Sequence, residues 1–255
     1  MKYILLIATL IFNIFITGCA HKLVYSDIYK VDETLTHTEI NQAVEKKVQI
    51  TYNEIKATLR PMPIYNKVFT QNEIPVDILS IIDGNSYKEN DNISLQDLRY
   101  LKMSYIDFNG NYQVGEMIVN KLIAEDILEI FEILYDNGFQ IEKMNLVDHY
   151  NSDDKASMMD NNTSAFNYRV VEGTTKLSNH AYGVALDINP VQNPYIKGSI
   201  ISPTNSEKYY DRTDVRKGMI VKGDVCYNAF IDKGFIWGGE WKTIKDYQHF
   251  EKELN

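Results

Sequence analysis

The chain has 255 residues, 44% of them hydrophobic and 24% charged, which is enough for one large domain or two small ones and excludes a disordered chain. A formal net charge of -9 excludes the broad basic surface that a nucleic-acid partner needs to neutralise phosphates. Two cysteines cannot form a disulfide framework.

The first 22 residues, MKYILLIATLIFNIFITGCAHK, place one lysine before an apolar run that ends at Ile16-Thr17-Gly18-Cys19. The run is of signal-peptide length and closes on small residues, so it reads as a secretory signal rather than a spanning helix. Its ending resembles the lipobox of bacterial lipoproteins. That resemblance implies removal of residues 1–18 and a lipid on Cys19. The expected location is extracytoplasmic, in a bacterial cell envelope, with the chain tethered to a membrane by acyl chains. Cys226 is then an odd thiol, read as a buried small hydrophobe.

Residues 20 to about 35 are polar and read as a tether. Ile40, Val44, Val48, Ile55 and Leu59 recur at roughly helical spacing and predict a helix over 36–59, with Thr36 or Thr38 as its cap and RPMP at 60–63 as its stop. Residues 76–82 are apolar, and DGNSYKENDN is a loop by composition. Two β-rich runs around Asn109-Gly110-Asn111 predict a hairpin. Leu122, Ile123, Ile127, Ile130, Phe131 and Leu134 fall on one face of a helix predicted over 121–137, with Asn137-Gly138 as a left-handed stop. FQIEKMNLV is predicted as a strand. Helices and strands mix without βαβ alternation, which predicts an α+β fold: a small, mostly antiparallel sheet flanked by helices. The expected division is a signal over 1–18, a tether and helical region over 19–74, and one catalytic domain over 75–255.

The chemistry concentrates in two segments. In KLSNHAYGVALDINP, residues 176–190, Ala185, Leu186 and Ile188 read as a buried strand, where Asp187 is costly unless its charge is paired or bound to a metal. His180 precedes it across a small-residue turn at Gly183. In GFIWGGEWKTIKDYQHFEKELN, near the C-terminus, Asp246 stands three residues before His249, beside Trp237 and Trp241. His180, Asp187 and His249 supply two imidazoles and one carboxylate, and three ligands with one open position describe a catalytic metal site. Asp246 is then a free carboxylate available as a general base toward water. His149, Asp153 and Asp154 read as surface groups or parts of a cleft rim.

Taken together, Ser178-x-His180-x-x-Gly183-x-Ala185-x-Asp187 and the later Asp246-x-x-His249-Phe250-Glu251 resemble the M15 family of zinc peptidases. The likeness extends through NNTSAFNYR, DINPVQNPYI and AFIDKGFIWGGEW. It is nearest to the branch of D-alanyl-D-alanine carboxypeptidases and L-alanyl-D-glutamate endopeptidases that act on peptidoglycan. The resemblance implies Zn2+ held by His180, Asp187 and His249, with Asp246 as catalytic base. It further implies that Arg169 faces a substrate carbonyl or carboxylate, that Ser178 orients substrate or a ligand, and that Trp237 and Trp241 serve as pocket wall or core. The expected substrate is a peptidoglycan stem peptide. Two alternatives stay open at this point: a metallopeptidase for other small peptides, and a cell-wall-binding lipoprotein with a structural zinc. No residue pattern names a protein partner.

Overall fold

A computed structural model describes residues 67–254. Cys19, the signal-like segment, the expected tether and the helix expected over 36–59 therefore lie outside the described residues.

Three strands, β1 (Phe69–Asn72), β2 (Leu98–Ile106) and β3 (Tyr112–Asn120), form an antiparallel sheet in that order. β2 and β3 are the expected hairpin, in register from Ile106 opposite Tyr112 to Leu98 opposite Asn120. Asp107 shapes the turn. Its Oδ1 accepts the backbone N–H groups of Asn109 and Asn111, each at 2.8 Å, while Gly110 takes the positive φ of 80° that the reversal needs. Between β1 and β2, the apolar run forms a short helix, α1 (Val76–Ile82), which buries Ile78 and Ile82.

The next helix, α2 (Ala124–Asp136), buries Ile127, Leu128, Ile130, Phe131 and Leu134 against β2 and ends at Asn137 and Gly138 as expected. It starts later than the periodicity suggests. Residues 121–123 form a turn, so Ile123 is buried but Leu122 is 62% exposed. The strand expected over FQIEKMNLV shrinks to β4 (Lys143–Met144), paired parallel with β5 (Asn162–Thr163). Residues after Leu146 turn into a 3-10 helix (Val147–Tyr150), leading to α3 (Asp154–Met159), whose first turn is capped by Asp153 through the Ala156 N–H.

The C-terminal region is built from very short strands: β6 (Ala185–Asp187), β7 (Tyr195–Lys197), β8 (Ile200–Ser202), β9 (Ile236–Trp237), β10 (Lys245–Asp246) and β11 (His249–Glu251). One helix, α4 (Val225–Asp232), is capped by Asp224 and interrupts them. The fold is α+β. The single small sheet expected is instead three three-stranded antiparallel sheets and the parallel pair. Local chemistry explains the division at β6: Asn189 adopts a left-handed φ of 46°, and Pro190 has no N–H to continue a ladder.

The sheet that matters for function has the order β6-β11-β9. Leu186 of β6, Phe250 of β11 and Trp237 of β9 pair side by side and turn into the main core, with Ile127, Phe131 and Phe230. Phe250 stacks on Phe230 with ring centroids 4.0 Å apart. Burying such an aromatic ring stabilises the fold by about 1.5–3 kcal/mol, so this face anchors the sheet. Side chains alternate along strands, so the opposite face carries Asp187 and His249. Among the described residues no helix is long and apolar enough to cross a membrane.

Candidate metal centre

Three separate local structures deliver the three candidate ligands, His180, Asp187 and His249. His180 sits in a 3-10 turn (Asn179–Tyr182) whose first N–H groups need a partner; Ser178 Oγ accepts the His180 N–H at 3.3 Å. Gly183 ends this turn with a φ of 66°, and its carbonyl accepts the Asn120 N–H of the hairpin at 2.8 Å. A Cβ there would lie 2.7 Å from the Asn120 nitrogen, so both the conformation and the packing require glycine. Asp187 closes β6, its backbone doubly hydrogen-bonded to Ser164. His249 opens β11 and stands opposite Asp187 in the ladder.

All three side chains are buried, and their ligand atoms lie within 4.8 Å of one another. His180 Nε2 is 3.3 Å from Asp187 Oδ2, His249 Nδ1 is 3.0 Å from Asp187 Oδ1, and the two imidazole nitrogens are 3.3 Å apart. A tetrahedral ion with bonds of about 2.0–2.1 Å has ligand–ligand edges of about 3.3–3.4 Å. The observed spacings are close to that figure.

The outer hydrogen bonds point the same way. His180 Nδ1 is 2.7 Å from the carbonyl of Ala165, which can only accept, so Nδ1 carries the proton and Nε2 turns a lone pair inward. His249 Nε2 is 3.0 Å from a carboxylate oxygen of Glu251 and donates to it, leaving Nδ1 facing inward. Two inward lone pairs at 3.3 Å repel unless a proton or a cation lies between them. This donor set fits a divalent metal.

Electrostatics match that reading. Burial pushes the Asp187 carboxyl up, yet His180 and His249 outweigh it and hold the group well below the usual carboxylate range. Burial works against a charge on His249, but hydrogen bonds to Asp187 and Glu251 and the charges of Asp187 and Asp246 push its pKa up to about 10. The site is thus built to hold positive charge. A metal must displace that proton to use Nδ1.

Asp246 lies on β10, half-buried, its Oδ1 accepting the Gln248 amide at 3.2 Å. Its carbonyl and Cβ pack against Gly238, where an added Cβ would meet them at 2.5 and 2.9 Å. Burial raises its carboxyl from 3.8 to about 6; the charge of Asp187 adds to this, and His249, Gln248 and His180 oppose it. A carboxylate poised near neutrality beside a metal site is suited to proton transfer.

The other expected residues divide. Arg169 is half-buried, and its Nη2 donates to Asp154 at 2.7 Å, while its Nε is buried without a partner. Its carbonyl accepts the Ser178 N–H at 3.0 Å, which ties it to the His180 turn. Ser178 touches His180 through the cap, its Oγ accepting the His180 N–H. Trp241 brings its ring to 5.4 Å from that of His249, whereas Trp237 lies on the core face and donates to the Tyr247 carbonyl. His149 is exposed and pairs with Glu116, outside the triad. Sequence reasoning assigned no role to Glu251, Asn179 or the Ala165 carbonyl. The two-residue spacing from His249 was a usable signal for Glu251; nothing local marked the other two.

Residues 172–252 match the family model described as D-alanyl-D-alanine carboxypeptidase, of the M15 peptidases. The match contains His180, Asp187, Asp246 and His249, and Arg169 lies just before it. No solved structure matches the chain. Over residues 172–252 the chain is thus similar to M15 peptidases, and that stretch contains the whole buried His180, Asp187 and His249 cluster.

Proposed function

We propose that this protein is a zinc peptidase that hydrolyses peptidoglycan stem peptides, as a D-alanyl-D-alanine carboxypeptidase or an L-alanyl-D-glutamate endopeptidase. The observation that carries the proposal is the convergence of two imidazoles and one carboxylate at the spacing of a tetrahedral ion, beside a carboxylate with a raised pKa. Two nitrogens and one oxygen suit zinc better than calcium or magnesium, which prefer all-oxygen shells. His180, Asp187 and His249 would hold the zinc, which would supply Lewis acidity toward water and the peptide carbonyl. Asp246 accepts the proton of the attacking water and passes it to the leaving amine. Arg169, its guanidinium steadied by Asp154, offers its remaining donors to the substrate carbonyl or carboxylate; a rigid, permanently charged fork suits that task. Trp241 borders the site beside His249.

Among the described residues the cluster has three candidate ligands rather than four, with Asp246 as a candidate base, which favours catalysis over a structural metal. The lipobox-like Ile16-Thr17-Gly18-Cys19 supports a lipid-anchored, extracytoplasmic location, where peptidoglycan is the accessible substrate. The test is mass spectrometry of purified muropeptides digested with the zinc-loaded protein. Loss of one terminal alanine identifies a carboxypeptidase, and release of whole peptides an endopeptidase. Intact muropeptides with zinc still bound would replace the proposal with a binding role.

A further inference from the structure

Glu251 lies on the ligand-bearing face of β11, two residues after His249 and opposite the short side chain of Ala185. One of its oxygens, Oε2, accepts two N–H groups: His249 Nε2 at 3.0 Å and Asn179 Nδ2 at 2.6 Å. A carboxylate oxygen has lone pairs for both. Among the described residues no lysine or arginine pairs with Glu251, so it is not spent on a surface ion pair. Asn179 immediately precedes His180 in the 3-10 turn. A single oxygen therefore joins the two elements that carry the histidine ligands, β11 and the His180 turn, which are 72 residues apart at the Asn179–Glu251 contact.

We propose that Glu251 is a positioning residue of the metal centre. By holding the Nε2–H of His249 it selects the tautomer that presents Nδ1 to the metal and fixes the ring about its long axis. Through Asn179 it sets the separation of His249 from His180. His180 receives equivalent support from the fixed Ala165 carbonyl, so each imidazole has one outward anchor. This inference rests on the zinc reading above and adds to it a determinant of how tightly zinc is held. Outer partners of this kind are typically worth about 10- to 100-fold in metal affinity.

The test compares the full chain with Glu251→Ala, Glu251→Gln and Asn179→Ala. Zinc affinity is measured by competition with a chromogenic chelator, the visible spectrum is recorded with Co(II) in place of zinc, and circular dichroism of the metal-free proteins checks the fold. Glu251→Ala is expected to bind zinc about 10- to 100-fold more weakly and to shift the Co(II) bands. Glu251→Gln should recover most of the affinity, because its amide oxygen can accept the same two N–H groups. Asn179→Ala should weaken binding less than Glu251→Ala. Should Glu251→Ala fail to fold, the other two variants decide. Wild-type affinity and an unchanged Co(II) spectrum in Glu251→Ala or Asn179→Ala would overturn the proposal. So would Glu251→Gln binding as weakly as Glu251→Ala, since charge rather than positioning would then be at work. A wild type that binds no zinc would remove the zinc reading and this inference with it, whereas a failure confined to the variants leaves the zinc reading standing.

Discussion

His249 and Asp187 face each other directly across the antiparallel ladder of β11 and β6, with Nδ1 and Oδ1 3.0 Å apart, although 62 residues separate them in the chain. Directly opposed residues on paired strands have Cβ atoms about 4.5–5.5 Å apart, so a short aspartate and an imidazole meet without strain. The register is held from behind. Phe250 opposes Leu186 in the core, and a slip of one residue would turn His249 inward and expose the phenylalanine.

The triad should behave as a unit toward metal. Elemental analysis of the purified wild type is expected to find about one zinc per chain, consistent with a single three-ligand site. His180→Ala, Asp187→Ala and His249→Ala should each bring the content close to zero and remove hydrolysis with it. Retention of stoichiometric zinc by any of the three would mean that the residue is not a ligand.

Asp246→Asn separates catalysis from metal binding. The amide is nearly isosteric with the carboxylate and leaves the triad untouched, so zinc content should match the wild type. It cannot take a proton at neutral pH, and turnover of muropeptides should fall by about 10²- to 10⁴-fold. Near-full turnover would show that another group is the base.

The same substitution should stabilise the metal-free protein in a pH-dependent way. Asp246 has a folded-state pKa raised from 3.8 to about 6. A raised carboxyl favours the fold fully only below its unfolded pKa, and that favour is lost as pH rises through the folded value. Relative to Asp246→Asn, the wild type should therefore lose stability between about pH 4 and pH 6 and stay lower above that. Urea midpoints of both proteins, taken with a chelator from pH 4 to 8, measure it. A constant difference across that range would contradict the raised pKa.

Gly183→Ala should damage the fold and the site together. A left-handed conformation costs a non-glycine residue about 1–2 kcal/mol, and the new Cβ would also crowd the Asn120 nitrogen. A lower urea midpoint with weaker zinc binding is expected, because His180 sits in the turn that Gly183 closes. An unchanged midpoint would mean that this turn adapts freely.

Cys19→Ser tests the anchor. With lipid on Cys19, the wild type should sediment with membranes, and the variant should be released from them or remain unprocessed. A wild type whose N-terminus is still Met1, and whose fractionation the substitution leaves unchanged, would refute the lipid anchor.

Local sequence was sufficient wherever structure depends on near neighbours. The hairpin followed from Asn109-Gly110-Asn111 between β-rich runs, and the α2 core face from the spacing of Ile127, Ile130, Phe131 and Leu134. The residues of the buried His180, Asp187 and His249 cluster were legible too, because an aspartate within an apolar strand demands compensation. Periodicity was weaker at boundaries. Leu122 has the helical spacing but sits in a turn before the helix, and most of FQIEKMNLV forms no ladder because its pairing partner β5 is only two residues long.

What only the tertiary structure decided is which groups share the site, since those contacts join segments far apart in sequence. The pairing of β6 with β11 sets His249 against Asp187, and the His180 turn reaches them from a third direction. The pairing of β9 with β11 sets Trp237 beside Phe250 in the core, while Trp241 lies by the ring of His249. Glu251 receives Asn179 from 72 residues away, and Arg169 finds Asp154 on a separate helix. Residue type and spacing determine which chemistry the chain can carry. Hydrogen-bond geometry between distant segments determines the proton positions and ring orientations, and the burial it creates sets the raised pKa of Asp246.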